Sequence, residues 1–166
     1  PGSSLYRGSA PFSEPETRAI RDFVREHDNI SAAISFHTYG ELILYPYGYT
    51  YDDLPAGMDP GDLADMQRLA RTMAAMTGYV AQQASDLYIT SGDTTDWMYG
   101  ELGIYAFTFE MFPVADPPGF YPGADAIREQ TERNLPAVLY LTRMADRALI
   151  TGLRTYLPVV AREKAS

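Results

Sequence analysis

The chain contains no cysteine, which excludes disulfide bonds and metal sites built from thiolates. Positive charge is also scarce, because 13 lysines and arginines stand against 22 acidic residues and give a formal net charge of −9. No basic cluster is present to follow a phosphate backbone, so we expect no nucleic-acid partner. No apolar run approaches the roughly 20 residues that cross a bilayer, so we expect no membrane partner either.

Length and composition indicate a single folded domain. The 166 residues are 46% hydrophobic and 21% charged, which suffices for a sizeable core and argues against disorder. Periodicity along the chain predicts the order helix, strand, strand, helix, helix, strand, helix. This order indicates an α/β fold whose strands are buried between helices. We assign residues 1–149 to the domain and residues 150–166 to a C-terminal tail.

The first predicted helix is SEPETRAIRDFVREHD. Ser13 is expected to cap it, with Glu16 reaching back as a capping box and Pro15 in the first turn. The apolar side chains of this helix share one face: Ile20, Phe23 and Val24. His27, near the end of the helix, is interpreted as a cation that the helix dipole favours rather than as a metal ligand.

Three strands are predicted from short apolar runs. NISAAISFHTY places His37 at the carboxyl end of the first strand, and Leu42 to Tyr45 forms the second. IYAFTFE is expected to be an alternating strand that ends at Glu110.

The remaining pattern is helical. Asp59 begins a helix that ends at Gly78, with its methionines in the core. A polar stretch separates it from a short helix around Trp97 to Glu101. The last helix extends from Ile127 to Leu149, and Pro136 is expected to kink or split it.

His37 and Glu110 are the candidate functional residues, because ligands of open α/β sheets collect at the carboxyl ends of strands. A neutral imidazole suits zinc, and a neighbouring carboxylate can accept a proton from water. A single histidine beside an apolar strand is more often structural, and a glutamate at a strand end more often lies at the surface. Spacing alone therefore leaves both interpretations open.

The tyrosines of LYPYGYT also allow two interpretations. Tyr45, Tyr47 and Tyr49 have the composition of a stacking platform for sugars or bases, or they pack within the domain.

Two longer stretches resemble a known family. SFHTYGELILYPYGYT and LYITSGDTTDWMYGELGIYAFTFE are similar to the C-terminal half of zinc metallocarboxypeptidases of the carboxypeptidase A type, in particular the bacterial carboxypeptidase T branch. The resemblance extends from YRGSAPFSEPET to about Leu149 and keeps order and spacing. It implies part of a mixed, twisted sheet flanked by helices, the C-terminal half of a metallocarboxypeptidase fold. It also implies a zinc-dependent exopeptidase that hydrolyses C-terminal residues from peptides. It also implies a secreted, extracellular bacterial protein whose partners are peptide C-termini.

The resemblance implies roles for individual residues. His37 matches the third zinc ligand, and Glu110 matches the general base that acts on zinc-bound water and then passes the proton to the leaving amine. Tyr88 matches the mobile tyrosine that closes over the substrate, and Tyr39 matches an aromatic residue of the cleft. Packing of the tyrosine-rich segment, with a cis peptide near Pro46 or Thr38, is also implied.

The resemblance further implies a pocket for the side chain of the residue that is removed. The matching positions are Thr90, Asp93, Thr95 and Thr108. Asp93 resembles the bacterial branch, whose members accept both apolar and basic C-terminal residues, because an off-centre carboxylate can pair a cation without excluding a hydrocarbon.

One part of the family pattern is missing from this sequence. The other two zinc ligands come from an H-x-x-E motif, but His27 is followed three residues later by Ile30 and His37 by Gly40. The segment with the substrate-binding arginines and asparagine is missing as well. We therefore expect an incomplete zinc site and an inactive isolated chain. It would need the missing N-terminal half or would self-associate through exposed sheet. A non-enzymatic binding or assembly module derived from the half domain is the alternative.

Overall fold

The computed structural model describes residues 6–145, so the predictions for Leu149 and for the tail 150–166 lie outside the described part. The division at residue 149 therefore stays a prediction. Strands and helices alternate as expected for the predicted α/β class, which is confirmed. The strands are β1 (Ala32–Thr38), β2 (Leu42–Tyr45), β3 (Val80–Gln83) and β4 (Tyr105–Met111). The helices are α1 (Pro15–Glu26), α2 (Pro60–Thr77), α3 (Ala84–Leu87), α4 (Thr94–Leu102) and α5 (Ala126–Met144).

The four strands form one mixed sheet in the order β1-β4-β2-β3. β4 runs parallel to β1 and antiparallel to β2, while β2 and β3 are parallel. The prediction that buried and exposed side chains alternate along β4 is wrong, because the first six of its seven residues are buried. The physical reason is that β4 lies between two strands and is covered on both faces.

The two faces of β4 contribute to two separate cores. Tyr105, Phe107 and Phe109 face the larger core, which includes residues of α2 and α5. Ala106 faces a smaller core, where it packs with Val24 of α1, Met98 and Ile104. The sheet is therefore held from both sides, and its strand ends are rigid supports for side chains.

The predicted boundaries of α2 are confirmed. The Asp59 carboxylate accepts hydrogen bonds from the amides of Gly61 at 2.7 Å and Asp62 at 3.3 Å. Gly78 ends the helix at φ +76°, a left-handed conformation that glycine adopts without steric cost. The prediction for the methionines is confirmed at the fully buried Met66 and Met73 but is wrong for Met76, which is 43% exposed.

The predicted capping box of α1 is wrong. Glu14 is the N-cap and makes no capping hydrogen bond through its side chain, and the Ser13 hydroxyl donates to the Glu14 carboxylate at 2.9 Å. Pro15 sets the boundary, because its fixed φ suits the first helical position. Of the three predicted apolar side chains only Val24 is buried, and the exposed ones are Ile20 and Phe23.

The other helices correct the prediction in three places. The segment after α2 contains β3 and α3, whose sequence VAQQASDL lacks an apolar period. α4 begins at Thr94, earlier than expected, because the Asp93 side chain accepts from the Thr95 amide and caps it. α5 continues through Pro136, so this proline does not split the helix. Within residues 6–145, no helix combines the length and apolar character needed to cross a bilayer.

Candidate active site

The carboxyl ends of β1 and β4 bring His37 and Glu110 together. The strands are parallel and in register, and His37 is the direct partner of Glu110 across the sheet. Directly paired residues of neighbouring strands point to the same face. The structure therefore brings the ends of these two strands together.

A cavity of about 260 Å³ opens at this edge of the sheet. Six residues singled out from the sequence contribute to its wall: His37, Tyr88, Thr90, Asp93, Thr108 and Glu110. Residues that sequence reasoning missed complete the lining: Ser35, Leu44, Ala84, Leu87, Gly92 and Thr94. The cavity therefore combines acidic, hydroxyl and aliphatic groups within a space the size of an amino-acid side chain.

Glu110 is only 8% exposed. Burial raises the pKa of its carboxyl group above the ordinary value, the charge of His37 opposes this, and Asp93 adds to it. A carboxylate with a raised pKa is a stronger base, which suits proton transfer near neutral pH.

The His37 ring is oriented by Ser35, since its Nε2 lies 2.8 Å from the Ser35 hydroxyl. Ser35 precedes His37 by two residues, so both side chains are on the same face of β1. This spacing is the signal that could have identified Ser35. A hydrogen bond on one ring nitrogen is the usual way in which a ligating histidine is fixed in orientation.

The described residues fit one ligand position of a zinc centre and no more. Between Tyr6 and Ala145, no group of three or more His, Asp or Glu side chains is placed to hold a metal ion. A catalytic zinc ion takes three protein ligands, and His37 provides one imidazole. That the zinc site is incomplete in this chain stays a prediction.

Asp93 has a fixed orientation. Its Oδ1 accepts hydrogen bonds from the amide and the hydroxyl of Thr95, both at 2.7 Å. Thr95 is buried and is not among the residues that line the cavity. The structure therefore places Thr95 behind the wall, where it supports Asp93.

The two predicted tyrosines of the cleft differ in position. Tyr88 lines the cavity and is 60% exposed. Tyr39 lies outside the lining and packs edge-on against Phe120, with ring centroids 5.0 Å apart. The predicted cis peptides are present at Thr38–Tyr39 and Pro46–Tyr47.

The tyrosine-rich segment packs rather than forming a flat platform. Tyr47 is buried, and its ring is tilted against Tyr49 at 4.9 Å and Tyr99 at 5.4 Å. Tyr45 is partly buried against the main core. The packing interpretation is thus confirmed for Tyr45 and Tyr47.

Asp96 of α4 was not identified from the sequence, although its half-buried carboxylate holds the same segment. It accepts hydrogen bonds from the amides of Gly48, at 2.9 and 3.0 Å, and Tyr49, at 3.1 Å. Burial raises its pKa from 3.8 to about 6; the Gly48 hydrogen bond opposes this, the charge of Asp93 adds to it, and the Tyr49 hydrogen bond opposes it.

The raised pKa of Asp96 predicts a pH-dependent stability. The Asp96 carboxyl group holds its proton more tightly in the folded protein than in the unfolded chain. Its contribution to the free energy of unfolding is therefore complete below the unfolded pKa and is lost as pH rises towards about 6. Between about pH 4 and 6, the unfolding free energy of the wild type should fall relative to Asp96→Asn by about 2 kcal/mol. Denaturant unfolding at several pH values measures this. The exposed control Asp86→Asn should follow the wild type, and parallel curves for wild type and Asp96→Asn would contradict the prediction.

The fold and the site define an α/β protein with a candidate site at the carboxyl edge of its sheet. Comparison with known proteins gives the family. The sequence pattern of the zinc carboxypeptidase family matches residues 1–137. The chain belongs to the zinc carboxypeptidase family.

Individual relatives agree with this assignment. A zinc carboxypeptidase of Saccharothrix mutabilis subsp. capreolus is 49% identical over 117 residues, which is 70% of this chain and 27% of the relative. Carboxypeptidase A1 of Rattus norvegicus is 43% identical over 112 residues, or 67% of this chain and 27% of the relative. The chain thus spans about a quarter of the length of these relatives.

A solved structure matches over a larger fraction of the chain. Bovine thrombin-activatable fibrinolysis inhibitor, in complex with tick carboxypeptidase inhibitor, superposes with a TM-score of 0.73 and 31% identity. The match covers 90% of this chain and 48% of that one. The matched part of this chain therefore corresponds to about half of that structure.

Proposed function

We propose that this chain is the C-terminal half of a zinc carboxypeptidase catalytic domain of the bacterial carboxypeptidase T type. In this proposal, the complete domain removes C-terminal residues from peptides outside the cell. The observation that carries the proposal is the direct pairing of His37 with Glu110 at the wall of a side-chain-sized cavity. Family membership supports the reaction class.

Glu110 is the general base in the proposed reaction. Its carboxylate accepts a proton from the water whose oxygen attacks the scissile carbonyl carbon. When the C–N bond breaks, the same carboxyl returns the proton to the leaving amine. Its burial and its raised pKa support this role, because a higher proton affinity makes the carboxylate a better acceptor of the water proton, while the carboxyl group stays acidic enough to protonate the leaving amine.

His37 would hold one coordination position of the zinc ion, with Ser35 fixing its ring. A bound zinc ion would supply Lewis-acid polarisation of the carbonyl group. The other ligands would come from polypeptide outside the described residues.

The cavity would receive the side chain of the C-terminal residue. Asp93 can pair with a cationic side chain, whereas Leu44 and Ala84 contact a hydrocarbon, so we propose that both apolar and basic residues are accepted. Thr90 and Thr108 also line the cavity. We assign a supporting role to Thr95 behind Asp93.

Two tyrosines, the exposed Tyr88 and the partly buried Tyr39, would contact the peptide. Tyr88, 60% exposed, would close over the substrate and hydrogen-bond its C-terminal region. Tyr39, seated on Phe120, would line the cleft further along the peptide.

The outer edge of β1 is the proposed docking site for the other half of the domain. Within residues 6–145, β1 pairs only with β4, and edge strands of parallel sheets are normally covered. An apolar groove of about 400 Å³ lies beside it, with the half-exposed Phe36 and Ile127 of α5 in its lining. The N-terminal half is the proposed occupant because the chain spans only 48% of the solved relative.

A chimeric enzyme tests the proposed reaction. The chimera is the Saccharothrix mutabilis zinc carboxypeptidase in which the matching region is replaced by this chain. We expect the chimeric enzyme to release the C-terminal residue from a blocked dipeptide with a free carboxylate. The same dipeptide with an amidated C-terminus is the control and should stay intact. A folded, zinc-loaded chimera that cleaves neither would contradict the proposal.

A non-enzymatic binding or assembly module is the second candidate, favoured because the described residues contain no group of three or more side chains placed to hold a metal ion. Metal analysis and sedimentation of the isolated chain distinguish the two. The half-domain proposal predicts well under one tightly held zinc ion per chain and association through the β1 edge that ends when the other half is added. A stoichiometric zinc ion in the isolated chain, or a stable oligomer that the other half does not disperse, would favour the module.

A further inference from the structure

The segment from Pro46 to Asp52 lies between α4 and the cavity and is held by Asp96. The two carboxylate oxygens of Asp96 accept hydrogen bonds from the consecutive amides of Gly48 and Tyr49. Hydrogen bonds to an ionised carboxylate are stronger than those to a neutral acceptor. Asp96 itself is not among the residues that line the cavity.

Gly48 in turn lies directly against the cavity wall. Its carbonyl oxygen accepts a hydrogen bond from the Thr90 amide at 2.9 Å. A Cβ atom added to Gly48 would be 2.4 Å from the Thr90 hydroxyl, closer than any normal contact. Gly48 and Thr90 are therefore in direct contact with no space between them, and a shift of the Gly48 backbone would move Thr90.

Gln83 holds the same segment independently of Asp96. Its buried side-chain amide lies within hydrogen-bonding distance of three carbonyl oxygens, those of Tyr47 at 3.0 Å, Thr50 at 3.1 Å and Asp52 at 3.3 Å. Removing the Asp96 carboxylate should therefore loosen Gly48 without unfolding the segment.

We propose that Asp96 is a positioning residue of the side-chain pocket, which fixes the Gly48 backbone and thereby holds Thr90 in the cavity wall. Asp96 does not touch the substrate in this proposal. The inference rests on the proposed carboxypeptidase function, because only that function assigns the cavity to the C-terminal side chain.

Kinetics of the chimeric enzyme test the positioning role. Asp96→Ala should raise KM about tenfold and change kcat less than threefold, because the pocket wall shifts while Glu110 stays in place. Asp96→Asn keeps one acceptor oxygen and should restore most of the wild-type KM. Gly48→Ala should raise KM in the same way, because its methyl group displaces Thr90. The exposed control Asp86→Ala should leave both constants unchanged.

Amide hydrogen exchange of the isolated chain provides a readout that needs no activity. Asp96→Ala should accelerate exchange at the Gly48 and Thr90 amides about tenfold, and Asp96→Asn should do so less. If the wild-type chimera is inactive, the proposed function fails while exchange still tests the link from Asp96 to Thr90. Unchanged Thr90 exchange in Asp96→Ala, or an unchanged KM in an active chimera, would overturn the positioning role.

Discussion

Replacing Glu110 by glutamine should lower kcat of the chimeric enzyme by about two to four orders of magnitude, the range for a positioned acid–base group. The glutamine side chain is nearly isosteric with the carboxylate of Glu110, but its amide cannot accept the proton of the attacking water. Because Glu110 is not assigned as a ligand, zinc content should stay unchanged. Steady-state hydrolysis of the blocked dipeptide, together with metal analysis, measures both effects.

The matched control is Glu101→Gln, which makes the same chemical change at an exposed position of α4. Its kcat should stay within about twofold of wild type, since surface substitutions seldom change function or stability. Near wild-type turnover in Glu110→Gln would remove this residue from the proposed mechanism.

Replacing Arg133 by alanine should have the largest effect on stability, about 2 to 3 kcal/mol. The guanidinium group makes a bidentate pair with Glu41, at 2.5 and 2.9 Å, and donates to the Thr77 carbonyl at 2.5 Å. It also lies 4.6 Å from the centre of the Tyr79 ring. Its loss would leave Glu41 largely buried and unpaired, which is the costly part of the change.

The pair formed by Arg133 and Glu41 also supports the candidate site. Glu41 directly follows Gly40, and the Gly40 amide donates a hydrogen bond at 3.1 Å to the carbonyl of Met111, the residue after Glu110. Chemical denaturation measures the loss, with Arg133→Lys expected between alanine and wild type because a lysine cannot form the planar bidentate pair.

The control for Arg133 is Arg128→Ala on the same helix. Arg128 is 89% exposed and pairs with Glu132 at 2.9 Å, so its loss should cost less than about 1 kcal/mol. Equal effects of the two substitutions would show that the bidentate pair adds nothing beyond an ordinary surface contact.

The features that sequence could predict are those that depend on local chemistry. Asp59 and Gly78 bound α2 because a cap and a left-handed glycine act within one helical turn. His37 and Glu110 were identifiable because each ends an apolar strand. Ser35 was missed, although its spacing from His37 along β1 was a usable signal.

The features that sequence could not predict depend on distant partners. β3 has no apolar alternation, and its pairing with β2 makes it a strand. The burial of β4 on both faces depends on helices far along the chain. Asp96 bonds to Gly48 across 48 positions, a separation at which no local pattern gives a signal.

Zinc content of the chimeric enzyme is the most direct test of the claim that His37 and Glu110 belong to one zinc peptidase centre. We expect about one zinc ion per chain in the wild type and in Glu110→Gln, and well under one in His37→Ala. A His37→Ala chimera that keeps a full zinc ion and wild-type turnover would contradict it.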